Sequence, residues 1–177
     1  TSRFELTSIT QKSRRPSCPL VKSVQTILSE RGAHWEETFE KWKQMMEVNF
    51  MSHVWSTRAV LPGMLERGHG CLLHTASAAG LLMEFTSAPY QVSKHAAVGF
   101  AEWLAVKYGP QGIQVGCLCP QGVRTRMIDG HHPMSQHLHQ HSVSVEHVAE
   151  VTVQCLRDGQ FLILPHPEVE RFMQNRA

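Results

Sequence analysis

An α/β fold, with a parallel sheet of about three short strands and flanking helices, is predicted by the order of patterns along these 177 residues. From Trp35 onward the patterns run helix, strand, helix, strand, helix, strand, which is the order of consecutive βα units. The strand candidates are short runs at 71–75, 113–118 and 160–164, each separated from the next by a helical stretch. A right-handed crossover is expected for each unit.

Each element has its own warrant. Residues 35–66 read as a helix, because Phe39, Trp42, Met46, Phe50 and Val54 recur at intervals of three and four. Pro62 is expected to close or bend that run near its end. Gly68-His69-Gly70 supplies a turn into the apolar run 71–75. A loop at 77–88 leads to a helix over 89–108, ended by Gly109-Pro110. Residues 113–118 form a second, buried strand, and 145–157 an amphipathic helix before the last strand at 160–164. Residues 130–144 are polar and rich in histidine and are expected to form a loop. Residues 1–34 stand apart as a divergent N-terminal segment: the first twenty mix Ser, Thr, Arg and Pro without a sustained period, and only 21–31 suggest a short helix.

Length fits one domain, and 42% hydrophobic residues can build a core, with a mean hydropathy of -0.23. A net charge of +2 gives no basis for a nucleic-acid partner or an anionic membrane. No apolar run approaches the ~18 residues of a membrane span, and the first 30 residues contain no signal-peptide core. The five cysteines are scattered at 18, 71, 117, 119 and 155, which suits a reducing, cytoplasmic setting. Cys117 and Cys119 are expected to point to opposite faces of their strand, unfit for a disulfide or a shared metal. The histidines at 131, 132, 137, 139 and 141 have irregular spacing and no nearby carboxylate or thiol, so no metal site is expected.

The chemistry concentrates in Tyr90-Gln91-Val92-Ser93-Lys94 and in Ser77, thirteen residues before Tyr90. On a helix Tyr90 and Lys94 share a face one turn apart. A phenol titrates near 10 and exchanges protons poorly at neutral pH unless a cation stabilises its anion, and Lys94 is placed to be that cation. A serine hydroxyl beside the pair could hold a carbonyl or alcohol oxygen for proton transfer. The same residues also fit a surface Tyr and Lys on an ordinary helix. Asn49 fits a tolerated polar position in its helix, and Pro120 to Thr125 a plain turn after a strand.

The order Ser, then Tyr-x-x-x-Lys, resembles the short-chain dehydrogenase/reductase family. Val48-Asn49-Phe50 resembles its helix asparagine, and Arg58-Ala59-Val60-Leu61-Pro62-Gly63-Met64 the run that follows. Cys119-Pro120-Gln121-Gly122-Val123-Arg124-Thr125 is similar to the family's segment after the next strand, with Gln121 at its glycine position. Residues 161–169 resemble a frequent C-terminal ending, and the matches keep the family's order over about residues 35–170.

The resemblance implies a partial Rossmann-like doubly wound parallel sheet, formed by residues 35–177 as a C-terminal catalytic half. It implies NAD or NADP as cofactor and a small alcohol or carbonyl compound as substrate. In those terms Tyr90 is the general acid/base, and Lys94 lowers its pKa and binds the nicotinamide ribose. Ser77 orients the substrate oxygen, and Asn49 holds a water that links the lysine to solvent. Pro120, Val123 and Thr125 would line the nicotinamide side, the last two at its carboxamide. Phe100 and Trp103 would serve the core or a homo- or hetero-oligomer built through the long helices.

One part of the family's pattern has no counterpart. A dinucleotide fold cradles the pyrophosphate on a glycine-rich first βα turn. Before Gly68 the only glycines are Gly32 and Gly63, and neither Gly-x-x-x-Gly-x-Gly nor Gly-x-Gly-x-x-Gly occurs there. The chain is therefore expected to be a truncated form or a fragment, with the run 71–75 as an open sheet edge. Three readings stay open: an alcohol/carbonyl oxidoreductase, a non-catalytic remnant that pairs with other subunits, and a piece of a full enzyme.

Overall fold

The computed structural model describes residues 38–83, 87–125 and 141–175. The N-terminal segment, its short helix, the start of the first long helix at Trp35, and the histidines at 131, 132, 137 and 139 lie outside the described residues. The described chain is α/β, as expected. It runs α1 (Phe39–Met46), a π-helical turn (Glu47–Met51), α2 (Ser52–Arg67), β1 (Gly70–Thr75), α3 (Ala88–Tyr108), β2 (Ile113–Leu118), α4 (Val145–Arg157), β3 (Leu162–Ile163) and α5 (Glu168–Gln174). The short α5 has no counterpart among the sequence expectations.

All three strands are parallel, in the order β1-β2-β3. Gly70 pairs with Ile113 and Thr75 with Leu118, while Cys117 and Leu118 meet Leu162 and Ile163. Parallel strands need a crossover, and α3 and α4 supply the two. Strand alternation then sorts the sheet faces. Leu72, Ala76, Val115, Cys117 and Cys119 join Ala97, Ala101 and Leu104 of α3 and Leu61 and Met64 of α2 in the core. On the opposite face Gly116 lies against Leu156 of α4, where an added Cβ would come within 2.8 Å of that side chain. Helices therefore cover both faces, and β1 is an outer strand among the described residues.

Local chemistry sets the ends. The Thr38 hydroxyl caps α1 by accepting from Lys41 N, and the Ser87 hydroxyl caps α3 by accepting from Tyr90 N at 3.4 Å. Gly68, at φ 69°, ends α2. Pro62 lies inside α2, which continues past it to Arg67, close to the end at 66 that the pattern predicts. Gly112 is at φ 88°, and a Cβ there would fall 2.0 Å from the Gly68 carbonyl oxygen, so the turn entering β2 needs glycine.

One burial pattern and one corrected expectation stand out. The apolar set Phe39, Trp42, Met46, Phe50 and Val54 marks the helix by its spacing but is not its buried face: Phe39 is 80% exposed. The buried stripe is Met45, Asn49, His53, Thr57, Leu61 and Met64. It holds three polar side chains, so hydrophobic periodicity points one position away from it. Cys117 and Cys119 also share a face, because a strand alternates with period two and one residue separates them. Their sulfurs are 3.7 Å apart and fully buried.

Candidate functional site

The strand ends of a parallel sheet gather the loops that leave them, and the candidate residues collect at that edge. Beyond β1 the chain turns at Ser77, whose hydroxyl accepts from Ala79 N at 3.2 Å and donates to the Pro120 carbonyl at 3.5 Å. A short 3₁₀ turn follows (Ala78–Gly80). A Cβ on Gly80 would lie 2.6 Å from the Lys94 carbonyl oxygen, so a glycine allows this turn to press against α3.

Tyr90 and Lys94 occupy the first two turns of α3, on one face as predicted. The Lys94 ammonium lies 5.8 Å from the Tyr90 ring centroid and donates to the Thr75 carbonyl at 3.3 Å. Lys94 is 1% exposed. Burial lowers its pKa to about 8, with the Cys119 and Cys117 sulfurs acting in the opposite sense. A buried ammonium that titrates close to neutrality beside a phenol is an arrangement able to move a proton.

Asn49 is brought to the same place from the other side. It sits in the π turn between α1 and α2, is 2% exposed, and donates through Nδ2 to Ser93 Oγ at 3.1 Å. Ser93 Oγ in turn donates to the Tyr90 carbonyl at 2.8 Å. The asparagine side chain thus ties its helix to the turn of α3 between Tyr90 and Lys94. The π turn gives it this position, and insertions of this kind gather at functional sites.

The Pro120–Thr125 segment continues from β2. Its Pro120 carbonyl accepts from Ala78 N at 2.8 Å as well as from Ser77, so the loop is bound to the Ser77 turn. Val123 bridges to Val143, and Thr125 Oγ1 donates to the Val123 carbonyl at 3.3 Å. No described non-glycine residue has a positive φ, so Gln121 holds the family's glycine position with ordinary backbone geometry. Its Oε1 is buried without a hydrogen-bond partner.

Sequence reasoning missed three groups. His53 and His74 are 1% and 2% exposed, with their Nδ1 atoms 2.9 Å apart, and Phe100 packs edge-on against His74. Burial, then His74 and Lys94, lower the pKa of His53 to about 3, while the Asn49 backbone carbonyl acts the other way. Burial lowers His74 to about 4. His166, 1% exposed, reaches the Pro120 loop. Ser93 completes the Asn49 link. Alternation along β1 places His74 on the same face as Leu72 and Ala76, and His53 lies one turn beyond Asn49. Those spacings were the available signal.

Among the described residues no group of three His, Cys, Asp or Glu side chains could hold a metal, and no helix is long and apolar enough to cross a membrane.

A family profile described as short chain dehydrogenase matches residues 23–149, well over half of the chain. The 1-deoxy-11-beta-hydroxypentalenate dehydrogenase of Streptomyces exfoliatus is 35% identical over 135 residues, covering 76% of this chain and 49% of that protein. The 17-beta-hydroxysteroid dehydrogenase 13 of Homo sapiens is 42% identical over 89 residues, covering 49% of this chain and 30% of its own length. The chain spans about half the length, or less, of these relatives. Among solved structures, a short-chain dehydrogenase from Sphingobium yanoikuyae in complex with NADPH has the same fold, with TM-score 0.72 and 18% identity. The match covers 85% of this chain and 59% of that one. LigO in its apo form, from Sphingobium sp. strain SYK-6, gives TM-score 0.72 and 28% identity over 86% of this chain and 54% of its own. With its helix-flanked parallel sheet and the Ser77, Tyr90 and Lys94 edge, the chain belongs to the short chain dehydrogenase family.

Proposed function

We propose that residues 35–177 are the catalytic half of an NAD(P)-dependent oxidoreductase that interconverts a small alcohol and its carbonyl. The observation that carries this reading is the buried Lys94 ammonium, 5.8 Å from the Tyr90 ring and anchored on the Thr75 carbonyl beside the Ser77 turn. Tyr90 exchanges the proton with the substrate oxygen, and Ser77 Oγ turns from the Pro120 carbonyl to hold that oxygen. Lys94, charged below about pH 8, stabilises the phenolate of Tyr90. Asn49 keeps the two helices in register around them.

The residues suit the nicotinamide end of the cofactor. An ammonium has three protons to donate and the Thr75 carbonyl takes one, which leaves donors for ribose hydroxyls. Gln121 Oε1 is an orphaned buried acceptor in the segment whose Val123 and Thr125 would face the carboxamide, a group that carries N–H donors. When bound, the nicotinamide supplies or accepts the hydride. Titrating NADH and NADPH against the 177-residue chain, followed by fluorescence, tests the reading. Saturable binding that Lys94→Ala abolishes is expected. No nucleotide binding, together with aggregation or hetero-dimerisation, overturns the oxidoreductase reading for this chain.

A second reading has its own observation. Val92, Trp103 and Val106 on α3 and Trp55 on α2 are large apolar side chains that are 46%, 54%, 69% and 55% exposed. We assign them to pairing with a second copy of this chain, which would make the helix faces an interface even where the chain is not catalytic. Phe100 does not belong to that face, since its ring packs against Phe50 and His74. The cysteines scattered at 18, 71, 117, 119 and 155 suit a reducing, cytoplasmic setting.

A further inference from the structure

His166 stands between two prolines just beyond β3, and its ring reaches back to the loop that leaves β2. Its Nδ1 lies 3.2 Å from the Gln121 backbone nitrogen, and its Nε2 lies 2.9 Å from the Gly122 carbonyl oxygen. A backbone N–H can only donate and a carbonyl can only accept. Nδ1 must therefore be the bare nitrogen and Nε2 must carry the hydrogen, so the imidazole is neutral in a single tautomer. The backbone that carries the ring is fixed from behind. The His166 carbonyl accepts from Val169 N at 3.1 Å in the first turn of α5, and the neighbouring Pro165 carbonyl lies 3.3 Å from His147 Nε2 of α4.

The loop is gripped from its other side as well. Val143 N donates to the Gly122 carbonyl at 3.1 Å, and Arg124 N donates to the Val143 carbonyl at 3.0 Å. Pro120 is held by the Ser77 turn. Between those fixed points His166 holds the backbone of Gln121 and Gly122. Both ring nitrogens are matched on consecutive loop residues, one to a donor and one to an acceptor, so the ring couples this loop to the chain beyond β3.

We propose that His166 is a positioning residue for the nicotinamide-side loop: its neutral Nε2-protonated ring fixes Gln121 and Gly122 so that Val123 and Thr125 are presented to the cofactor. This rests on the nicotinamide reading of Pro120 to Thr125 given above. His166 touches neither the substrate nor the reacting atoms, and acts through the loop backbone.

The test uses the 177-residue chain and three readouts. Long-range ¹⁵N–¹H NMR of His166 should show the neutral Nε2–H tautomer. The Gln121 amide should exchange slowly in the wild type and fast in His166→Phe, which fills the space but offers neither nitrogen. NADH or NADPH affinity should fall about tenfold in His166→Phe, as expected for losing the two bonds that hold the loop. His166→Asn, which keeps an acceptor near the Nδ1 position, should recover part of both the protection and the affinity. If the Phe variant does not fold, the comparison of wild type with His166→Asn and His166→Gln carries the test. An Nδ1–H tautomer, or Gln121 exchange unchanged in the variants, overturns the clamp whatever the nucleotide does. Lost protection with unchanged nucleotide affinity overturns its role in presenting the loop. A wild type that binds no nucleotide while Gln121 stays protected by His166 overturns the cofactor reading, and with it the loop's assignment, but leaves the clamp standing.

Discussion

Mild acid should destabilise this chain through two buried rings. His53 and His74 titrate at about 3 and about 4 in the folded protein, against an ordinary 6.5. Both values are depressed, so between them and 6.5 the unfolded chain binds more protons than the folded one. Stability therefore rises with pH across that window and is lost as pH falls from about 6.5 toward 4 and below. At pH 5 each ring contributes a loss of about 2 kcal/mol, and the two together about 4 kcal/mol if they titrate independently. Against a typical 5–15 kcal/mol for a domain, that is a large share. Lys94 does not confuse the window: its depressed value of about 8 places its own change in stability between about 8 and 10.5. The measurement is urea unfolding at pH 7 and pH 5, for the wild type and for a His53→Leu, His74→Phe double variant. The wild type should lose several kcal/mol on acidification, and the double variant should lose much less over the same interval. Equal losses in the two proteins would show that other groups account for the acid sensitivity and that the pair is not held neutral.

Two more outcomes follow from single contacts. Asn49→Ala removes the Nδ2 bond to Ser93 at 3.1 Å and leaves a buried hydroxyl with one fewer partner, which should cost about 1–3 kcal/mol in urea unfolding. A variant as stable as the wild type would mean that Asn49 does not tie the two helices together. Trp103→Glu puts a charge on the exposed apolar face of α3, and analytical ultracentrifugation should then find monomer where the wild type is dimeric. A wild type that sediments as a monomer at every concentration removes the pairing reading.

The legible and illegible parts of this molecule differ in what decides them. The order of elements could be read because each strand is short and apolar and each helix after it is long: 113–118 was recovered residue for residue, and 145–157 likewise. Their ends are set by nearby residues such as Gly109 and Gly112, which sequence reading can use. Tyr90 and Lys94 were legible for the same reason, since a helix alone puts them on one face. Which long-range partner each would meet was not. The Thr75 carbonyl under Lys94, nineteen residues away in sequence, and the Ser93 hydroxyl under Asn49 depend on how β1, the π turn and α3 come together. Nothing local announces a π turn.

The buried stripe of the first long helix makes the physical point most sharply. Asn49, His53 and Thr57 face inward although polar residues at those positions lower any hydrophobic score. Asn49 is tolerated there because it has a partner in Ser93, and His53 because its ring meets His74. Thr57 Oγ1 is buried without one, a cost that packing must offset. An amphipathic count ranks Phe39 above all three, yet Phe39 stands 80% exposed while they are buried. Two of the three polar members, Asn49 and His53, are thus satisfied by α3 and β1, the two elements that also carry Lys94 and its Thr75 anchor. Polar residues at four-residue spacing on a helix beside a Tyr-x-x-x-Lys helix thus read as a wall of the site. That is why the histidine pair and the lysine share one buried region, where His53 is itself held neutral partly by the charge of Lys94.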